Sequence, residues 1–236
     1  MTPTRHRRQW RPQLTRAEFG RGWVFFALYV MVFPRLMGMV QMAAGESWPF
    51  LPAEAGLLYY LLVVTLVFLV FWSFLKNAFY LLLDYLPENL FAFGTGLIGA
   101  GVLHLLVMLI PLPVADPFNE IYADQFAYAP QATVLILVVL MPIAEEVLFR
   151  GLMFGSLRKY SRPLGYVVTV LLYALFRAQE YAFTPGAIDL RYLLLTIQYL
   201  PMSLALTWSY DNGGSVWSPV VLHMALSAIQ LMGAVL

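Results

Sequence analysis

Two adjacent glutamates and an arginine interrupt a long apolar stretch of this chain. Glu145, Glu146 and Arg150 lie inside a run that extends over residues 132–157. An ionisable side chain at membrane depth costs roughly 2.5–3.5 kcal/mol even on lenient insertion scales, so it is kept mainly where it pairs, lines a polar cavity or takes part in chemistry. We therefore expect these three residues to belong to a functional site.

On a helix, Glu146 and Arg150 share one face, with the glutamate on the N-terminal side, which is the favourable order for an ion pair. Glu145 points about a quarter-turn away. An ion pair at Glu146 would leave Glu145 free to meet another helix and to act as a general base toward water. The alternative is that Glu146 and Arg150 only lock helix packing.

Two later apolar stretches also carry polar residues. His223 and Ser227 are four residues apart, so imidazole and hydroxyl share one helix face. Such a histidine can form an interhelical hydrogen bond, or it can meet a glutamate, bind a metal or polarise a carbonyl. Arg177 is followed three residues later by Glu180, so it either pairs with that neighbour or reaches Glu145 across the bundle.

The composition places these residues in an integral membrane protein. Of 236 residues, 61% are hydrophobic and 11% are charged, and the mean hydropathy is +0.74, well outside the range of soluble domains. Apolar stretches of about 20 residues predict about seven transmembrane helices, at 22–41, 55–75, 90–110, 132–157, 164–183, 192–210 and 216–236. We expect an all-α, polytopic membrane helix bundle, because these stretches lack the alternating pattern of barrel strands.

The distribution of basic residues predicts the orientation. The start of the chain is rich in arginine: Arg5, Arg7, Arg8, Arg11, Arg16 and Arg21. Such residues keep the N-terminus cytoplasmic, and alternation then puts the connections with Lys76 and with Arg158 inside and the C-terminus outside. We interpret the arm as a topology signal that contacts anionic lipid, not nucleic acid. The chain has no cysteine, which excludes disulfides and thiolate chemistry.

The order of these motifs resembles the CPBP family of intramembrane proteases, which contains the CaaX prenyl proteases of the Rce1 type and the bacterial Abi proteins. Glu145, Glu146 and Arg150 match its Glu-Glu-x-x-x-Arg motif in full. A Gly-Ser-x-Trp-x-Pro lead-in occupies residues 214–219, ahead of His223. The resemblance implies a CPBP-like core at 131–236, preceded by a basic cytoplasmic arm at 1–21 and variable transmembrane helices at 22–130. It also suggests a bacterial cell membrane as the location.

The resemblance implies an endopeptidase acting on membrane-associated, prenylated or leader-type peptides, with the bilayer and a peptide or membrane protein as partners. Glu145 would activate water, while Glu146 and Arg150 would order the site. His223 and Ser227 would bind the developing oxyanion. No cofactor-binding residue is predicted, and the resemblance leaves open whether a divalent metal such as zinc is bound.

Two positions depart from the family pattern. The second-motif histidine is Arg177 here, preceded by Tyr173 where phenylalanine is usual, and the asparagine after the last histidine is Ser227. Arginine stays protonated, so Arg177 can be neither a general base nor a metal ligand. Loss of one oxyanion donor typically costs roughly a hundred- to a thousandfold in rate. Only His104 could replace the missing imidazole, and it would have to do so from a different helix.

Two hypotheses therefore stay open. The chain is a weakened intramembrane endopeptidase, or it is a catalytically inactive family member that serves as a membrane scaffold or regulator of a partner protein. A transporter is less favoured, because inverted repeats with paired broken helices are not evident in the sequence.

Overall fold

The computed structural model describes residues 13–45, 52–184 and 187–235. Most of the predicted basic arm lies outside these residues. The first half of the chain contains two helices joined by a π-helical segment, followed by four separate helices. These are α1 (Arg16–Ala27), the π segment Leu28–Val32, α2 (Phe33–Ala44), α3 (Pro52–Val70), α4 (Trp72–Asp84), α5 (Leu86–Val107) and α6 (Phe118–Tyr128).

The second half begins with one long helix, Pro130–Arg158, which we call the motif helix. It consists of α7 (Pro130–Val134), a π segment (Leu135–Leu140), α8 (Met141–Glu145), a second π segment (Glu146–Phe154) and α9 (Gly155–Arg158). The rest of the chain comprises α10 (Arg162–Ala182), the antiparallel strands β1 (Phe183–Thr184) and β2 (Ala187–Ile188), a 3₁₀ segment (Leu190–Leu195), α11 (Thr196–Gly213) and α12 (Trp217–Val235).

The all-α class is confirmed, but seven spans are not. Within the described ranges, four helices are long and apolar enough to cross a membrane: Ala53–Val70, Leu86–Val107, Pro130–Arg158 and Trp217–Val235. The first of the other three predicted spans falls on α1 and α2, which a π segment interrupts. The second falls on α10, which carries Arg162, Arg177 and Glu180. The third falls on the less hydrophobic α11. Lys76 lies within α4 and not in a connection, because α3 ends at Val70.

The motif helix lies at the centre of the bundle. Two thirds of its most apolar window, 67%, is buried, against 17–39% in the other three candidate spans. It packs against α3, α10 and α12, while α11 packs against both α5 and α10. Charged residues on this helix are therefore surrounded by protein and not by lipid.

Pro142 explains part of the irregular backbone of the motif helix. It occupies the first turn of α8, directly after the first π segment. Proline has no N–H, and its ring clashes with the preceding turn, so regular helical hydrogen bonding cannot continue through it. The second π segment begins at Glu146, and such segments are frequent at functional sites.

A close contact between glycine and an aromatic ring fixes the motif helix next to its charged residues. A Cβ atom on Gly151 would lie 2.8 Å from the ring of Phe74 on α4. Only hydrogen can be accommodated there without a shift of the ring. Gly151 directly follows Arg150. The contact with Phe74 therefore also restricts the position of Arg150 along the axis of the motif helix.

One end of the bundle is held together by Asp211, whose side chain is 1% exposed. Arg158 Nε lies 2.8 Å from Asp211 Oδ1, and Arg162 Nη2 lies 2.6 Å from Oδ2. The 158–162 connection and the end of α11 therefore lie at the same end of the bundle, as the predicted alternation requires. Asp189 and Arg191 form a separate exposed pair after β2, and there the guanidinium holds the pKa of the Asp189 carboxyl below its usual value.

Candidate active site

Three elements bring the predicted site residues together inside the bundle. Glu145, Glu146 and Arg150 come from the motif helix, Arg177 comes from α10, and α12 carries the predicted histidine and serine. The six residues are between 0% and 4% exposed. The site is therefore closed to solvent and lipid, and its charges are stabilised only by one another and by polar neighbours.

Glu146 forms the predicted ion pair and also meets the histidine. Arg150 Nη1 donates to Glu146 Oε1 at 2.9 Å, and His223 Nδ1 lies 2.8 Å from the same oxygen. The second oxygen, Oε2, is buried and has no hydrogen-bond partner among the described residues. Arg150 is further anchored to α11, where its Nη2 donates to the carbonyl oxygen and to Oγ of Ser203 at 3.2 Å each. One carboxylate thus joins the motif helix to α12 and still keeps a free acceptor.

Glu145 is more fully occupied than the sequence suggests. Tyr173 donates its hydroxyl hydrogen to Glu145 Oε2 at 2.8 Å, and Arg177 Nη1 lies 3.4 Å from Oε1. Glu145 thus meets another helix, as expected, but among the described residues it is an oxygen of Glu146, not of Glu145, that has no hydrogen-bond partner. The reason is that Tyr173 and Arg177 are one turn apart on α10 and both face the motif helix.

Arg177 makes both of the contacts that the sequence left as alternatives. Its Nη1 lies 3.4 Å from Glu145 Oε1 and 3.5 Å from Glu180 Oε2. The same nitrogen lies 3.3 Å from Met141 Sδ. A fixed positive charge between two carboxylates cannot accept a proton, so Arg177 fixes the position of Glu145 and does not supply a base.

Tyr173 contacts three of the predicted site residues, although the sequence marked it only as a departure from phenylalanine. Besides its hydrogen bond to Glu145, its ring lies under the guanidinium of Arg150, with 4.1 Å from Cζ to the ring centroid. Its ring also meets the His223 imidazole edge-on, with centroids 6.3 Å apart and planes at 90°. Cation–π contact of this kind is favourable, more so when the pair is desolvated. In the sequence, the hydroxyl of Tyr173, one helical turn before Arg177, was the feature that could have indicated these contacts.

Ser227 and His104 are less directly involved. Ser227 is buried one turn after His223 on α12, but within the described part of the chain it forms no hydrogen bond with Glu145 or Glu146. His104, near the end of α5, is exposed. Because Glu145 is fully buried, His104 does not contact it, and the replacement of the missing imidazole from that helix is not supported.

The described residues contain no group of three or more His, Asp or Glu side chains that could hold a metal ion. At this site, Glu146 and His223 are the pair of such side chains in direct contact. The arrangement combines an ionisable carboxylate, an imidazole and a guanidinium in a dry environment, where electrostatic interactions are strong. It can orient a small polar molecule and move a proton.

Comparisons with known proteins agree with this location. Residues 128–229 match the family model for Rce1-like proteins, described as type II CAAX prenyl endopeptidases. A protein of Escherichia coli, described as an uncharacterized 24.3 kDa protein, is 28% identical over 132 residues, which cover 54% of this chain and 56% of the relative. The chain thus spans about half the length of that curated relative. No solved structure matches this chain. The part of the chain that carries the site is therefore similar to Rce1-like proteins, in agreement with the resemblance of its motifs.

Proposed function

We propose that this protein is a CAAX-protease-like intramembrane endopeptidase that hydrolyses a membrane-associated peptide of the prenylated or leader type. The observation that carries the proposal is the buried cluster of Glu146, Arg150 and His223, in which one carboxylate oxygen has no partner in the part of the chain that the structure describes. Buried polar atoms are nearly always satisfied. An orphaned acceptor beside an imidazole is well suited to a water molecule or a polar group of a substrate.

The location of the cluster supports the same function. Glu146 and Arg150 lie on the most buried of the four apolar helices, and all three residues fall inside the segment that matches the Rce1-like family model. Peptide hydrolysis in a membrane requires a base for water and a donor for the developing oxyanion, and the cluster contains both types of group. Since none of its side chains is more than 4% exposed, substrate reaches the site only when helices separate. We place the protein in a bacterial cell membrane with its N-terminus in the cytoplasm.

One observation favours a second function, that of a catalytically inactive scaffold or regulator of a partner protein. Both oxygens of Glu145 are occupied by Tyr173 and Arg177, so the carboxylate that would activate water in the family is engaged. In a scaffold, the buried charges would only hold the helices together. A membrane partner would then co-purify with the wild type and with a Glu146→Gln, His223→Gln double variant alike.

A cleavage assay decides between the two functions. The purified protein, reconstituted in lipid, is incubated with a mixed panel of prenylated and leader-type peptides and the products are identified by mass spectrometry. The wild type and His104→Gln, a matched change at an exposed membrane histidine, should cleave the same peptide, and His223→Gln should not. If the wild type cleaves none of the panel, the endopeptidase is rejected in favour of the scaffold. Equal thermal unfolding of the three proteins excludes misfolding as the cause.

A further inference from the structure

We infer that the water-activating base of this site is His223, oriented by Glu146, and that Glu145 is a fixed anion outside the proton transfer. This inference rests on the proposed function and assigns the chemistry within it. The family resemblance implies that Glu145 activates water and that His223 binds the oxyanion. In our assignment His223 activates water, Glu146 orients it, and Glu145 takes no part in the proton transfer. Four contacts carry it, two at Glu145 and two at Glu146.

The contacts of Glu145 make it a poorer acceptor for a proton from water than the imidazole of His223. Its Oε2 accepts the hydrogen of Tyr173 at 2.8 Å, and its Oε1 faces the guanidinium of Arg177 at 3.4 Å. Its side chain is fully buried. A water molecule that approaches this carboxylate therefore competes with two donors that are already in place.

The contacts of Glu146 favour one of the two tautomers of His223. Arg150 donates to Glu146 Oε1 at 2.9 Å, and a charge-assisted bond of this kind favours the ionised carboxylate. An ionised carboxylate only accepts, so the 2.8 Å contact with His223 is a hydrogen bond from Nδ1–H to Oε1. In the neutral imidazole, Nε2 then has the free electron pair. A carboxylate that orients an imidazole through Nδ1 is a recurring feature of hydrolytic sites.

The opposite tautomer would give His223 a different role. If Glu146 were protonated, it would donate to Nδ1, and Nε2 would carry the hydrogen. His223 could then only donate to the oxyanion, which is the role implied by the family resemblance. The position of one hydrogen atom therefore separates a base from an oxyanion donor.

The reaction balances with water as the only added reactant. Nε2 of His223 takes a proton from water while the water oxygen bonds to the scissile carbonyl carbon. When the carbon–nitrogen bond breaks, the imidazolium returns that proton to the leaving amine. Within residues 13–45, 52–184 and 187–235, the buried Arg150 Nε has no hydrogen-bond partner, so this arginine keeps one N–H available for the developing oxyanion.

Nitrogen-15 NMR of the histidine-labelled, reconstituted protein tests the tautomer without any substrate. The His223 signals are assigned by their loss in His223→Gln. We expect Nδ1 at the shift of a protonated nitrogen and Nε2 at that of an unprotonated one at neutral pH. Glu146→Gln, whose amide can donate as well as accept, should mix the tautomers, whereas Glu120→Gln at an exposed position should change nothing. A protonated Nε2 in the wild type overturns the inference, whatever the protein cleaves.

Kinetics test the exchange of roles. Loss of a general base costs roughly 10²–10⁴-fold in rate, so His223→Gln and Glu146→Gln should both fall in this range. Glu145→Gln should lose only about tenfold, because it disturbs the position of α10 and not the proton transfer. If Glu145→Gln loses as much as His223→Gln, the inference is wrong although the protein is a protease. If the wild type cleaves no peptide while Nε2 is unprotonated, the proposed function fails and the assigned tautomer stands.

Discussion

The hydroxyl of Tyr173 and the carboxylate of Glu145 are joined by a 2.8 Å hydrogen bond between two transmembrane-bundle helices. One turn further along α10, Arg177 lies 3.4 Å from the other oxygen of the same carboxylate. Two substitutions relative to the family pattern thus act on one glutamate. Together they supply both donors that this buried carboxylate meets on α10.

Reversal of both substitutions should release Glu145. The double variant Tyr173→Phe, Arg177→His should cleave peptide faster than the wild type, because Oε2 loses its donor and Oε1 gains a neighbour that can share the proton of a water molecule. Initial rates on the peptide cleaved by the wild type measure the gain. The control is Tyr160→Phe with Arg191→His, two exposed positions. An equal or lower rate in a folded double variant would show that Glu145 has no latent function as a base.

Removal of the charge on Arg177 should destabilise the protein. Arg177→Met leaves Glu145 buried without its cation, and breaking a buried pair from one side typically costs about 3–5 kcal/mol. The matched change Arg191→Met, at an exposed pair with Asp189, should leave the midpoint of unfolding nearly unchanged. Denaturant unfolding in detergent measures both. Similar midpoints for the two variants would mean that Glu145 is stabilised by Tyr173 alone.

Local geometry made part of this site predictable from the sequence. The ion pair of Glu146 and Arg150 follows from helical spacing alone and is present at 2.9 Å. Whether Glu145 or Glu146 keeps an oxygen without a hydrogen-bond partner depends on which helix faces Glu145. The periodicity of one helix does not show which helix that is. The contact of Arg177 with Glu145 was one of two alternatives, and both occur because a guanidinium can serve two carboxylates.

Three of the seven predicted spans are not confirmed, for a related reason. The helices α10 and α11 are long enough to span and expose apolar side chains, but they also carry buried polar residues, such as Arg177 and Ser203. Hydropathy averages over both faces of a helix and does not show which of them meets lipid. The π segments around Pro142 were likewise not predicted, since they depend on how the turn before the proline repacks.

The packing of Gly151 under Phe74 should matter for both stability and activity. Gly151→Ala places a methyl group 2.8 Å from the ring, and overpacking of this kind typically costs about 1–3 kcal/mol. Because Arg150 precedes this glycine, the rate of peptide cleavage should fall with it. Gly99→Ala is the control, since a Cβ there meets nothing within 4 Å and alanine is the better helix former. If both variants unfold at the wild-type midpoint, the ring of Phe74 moves aside freely.

The orientation of the bundle can be tested with single cysteines, because the native chain has none. Tyr160 and Ile188 are 77% and 73% exposed and lie just before and just after α10. Basic residues flanking a span are retained on the cytoplasmic side, and Tyr160 lies between Lys159 and Arg162. A membrane-impermeant maleimide added to intact spheroplasts should therefore label Ile188→Cys and reach Tyr160→Cys only after permeabilisation. The reverse pattern would place the Asp211 end of the bundle outside, and the arginines around it would then have a structural role in pairing and no role in topology.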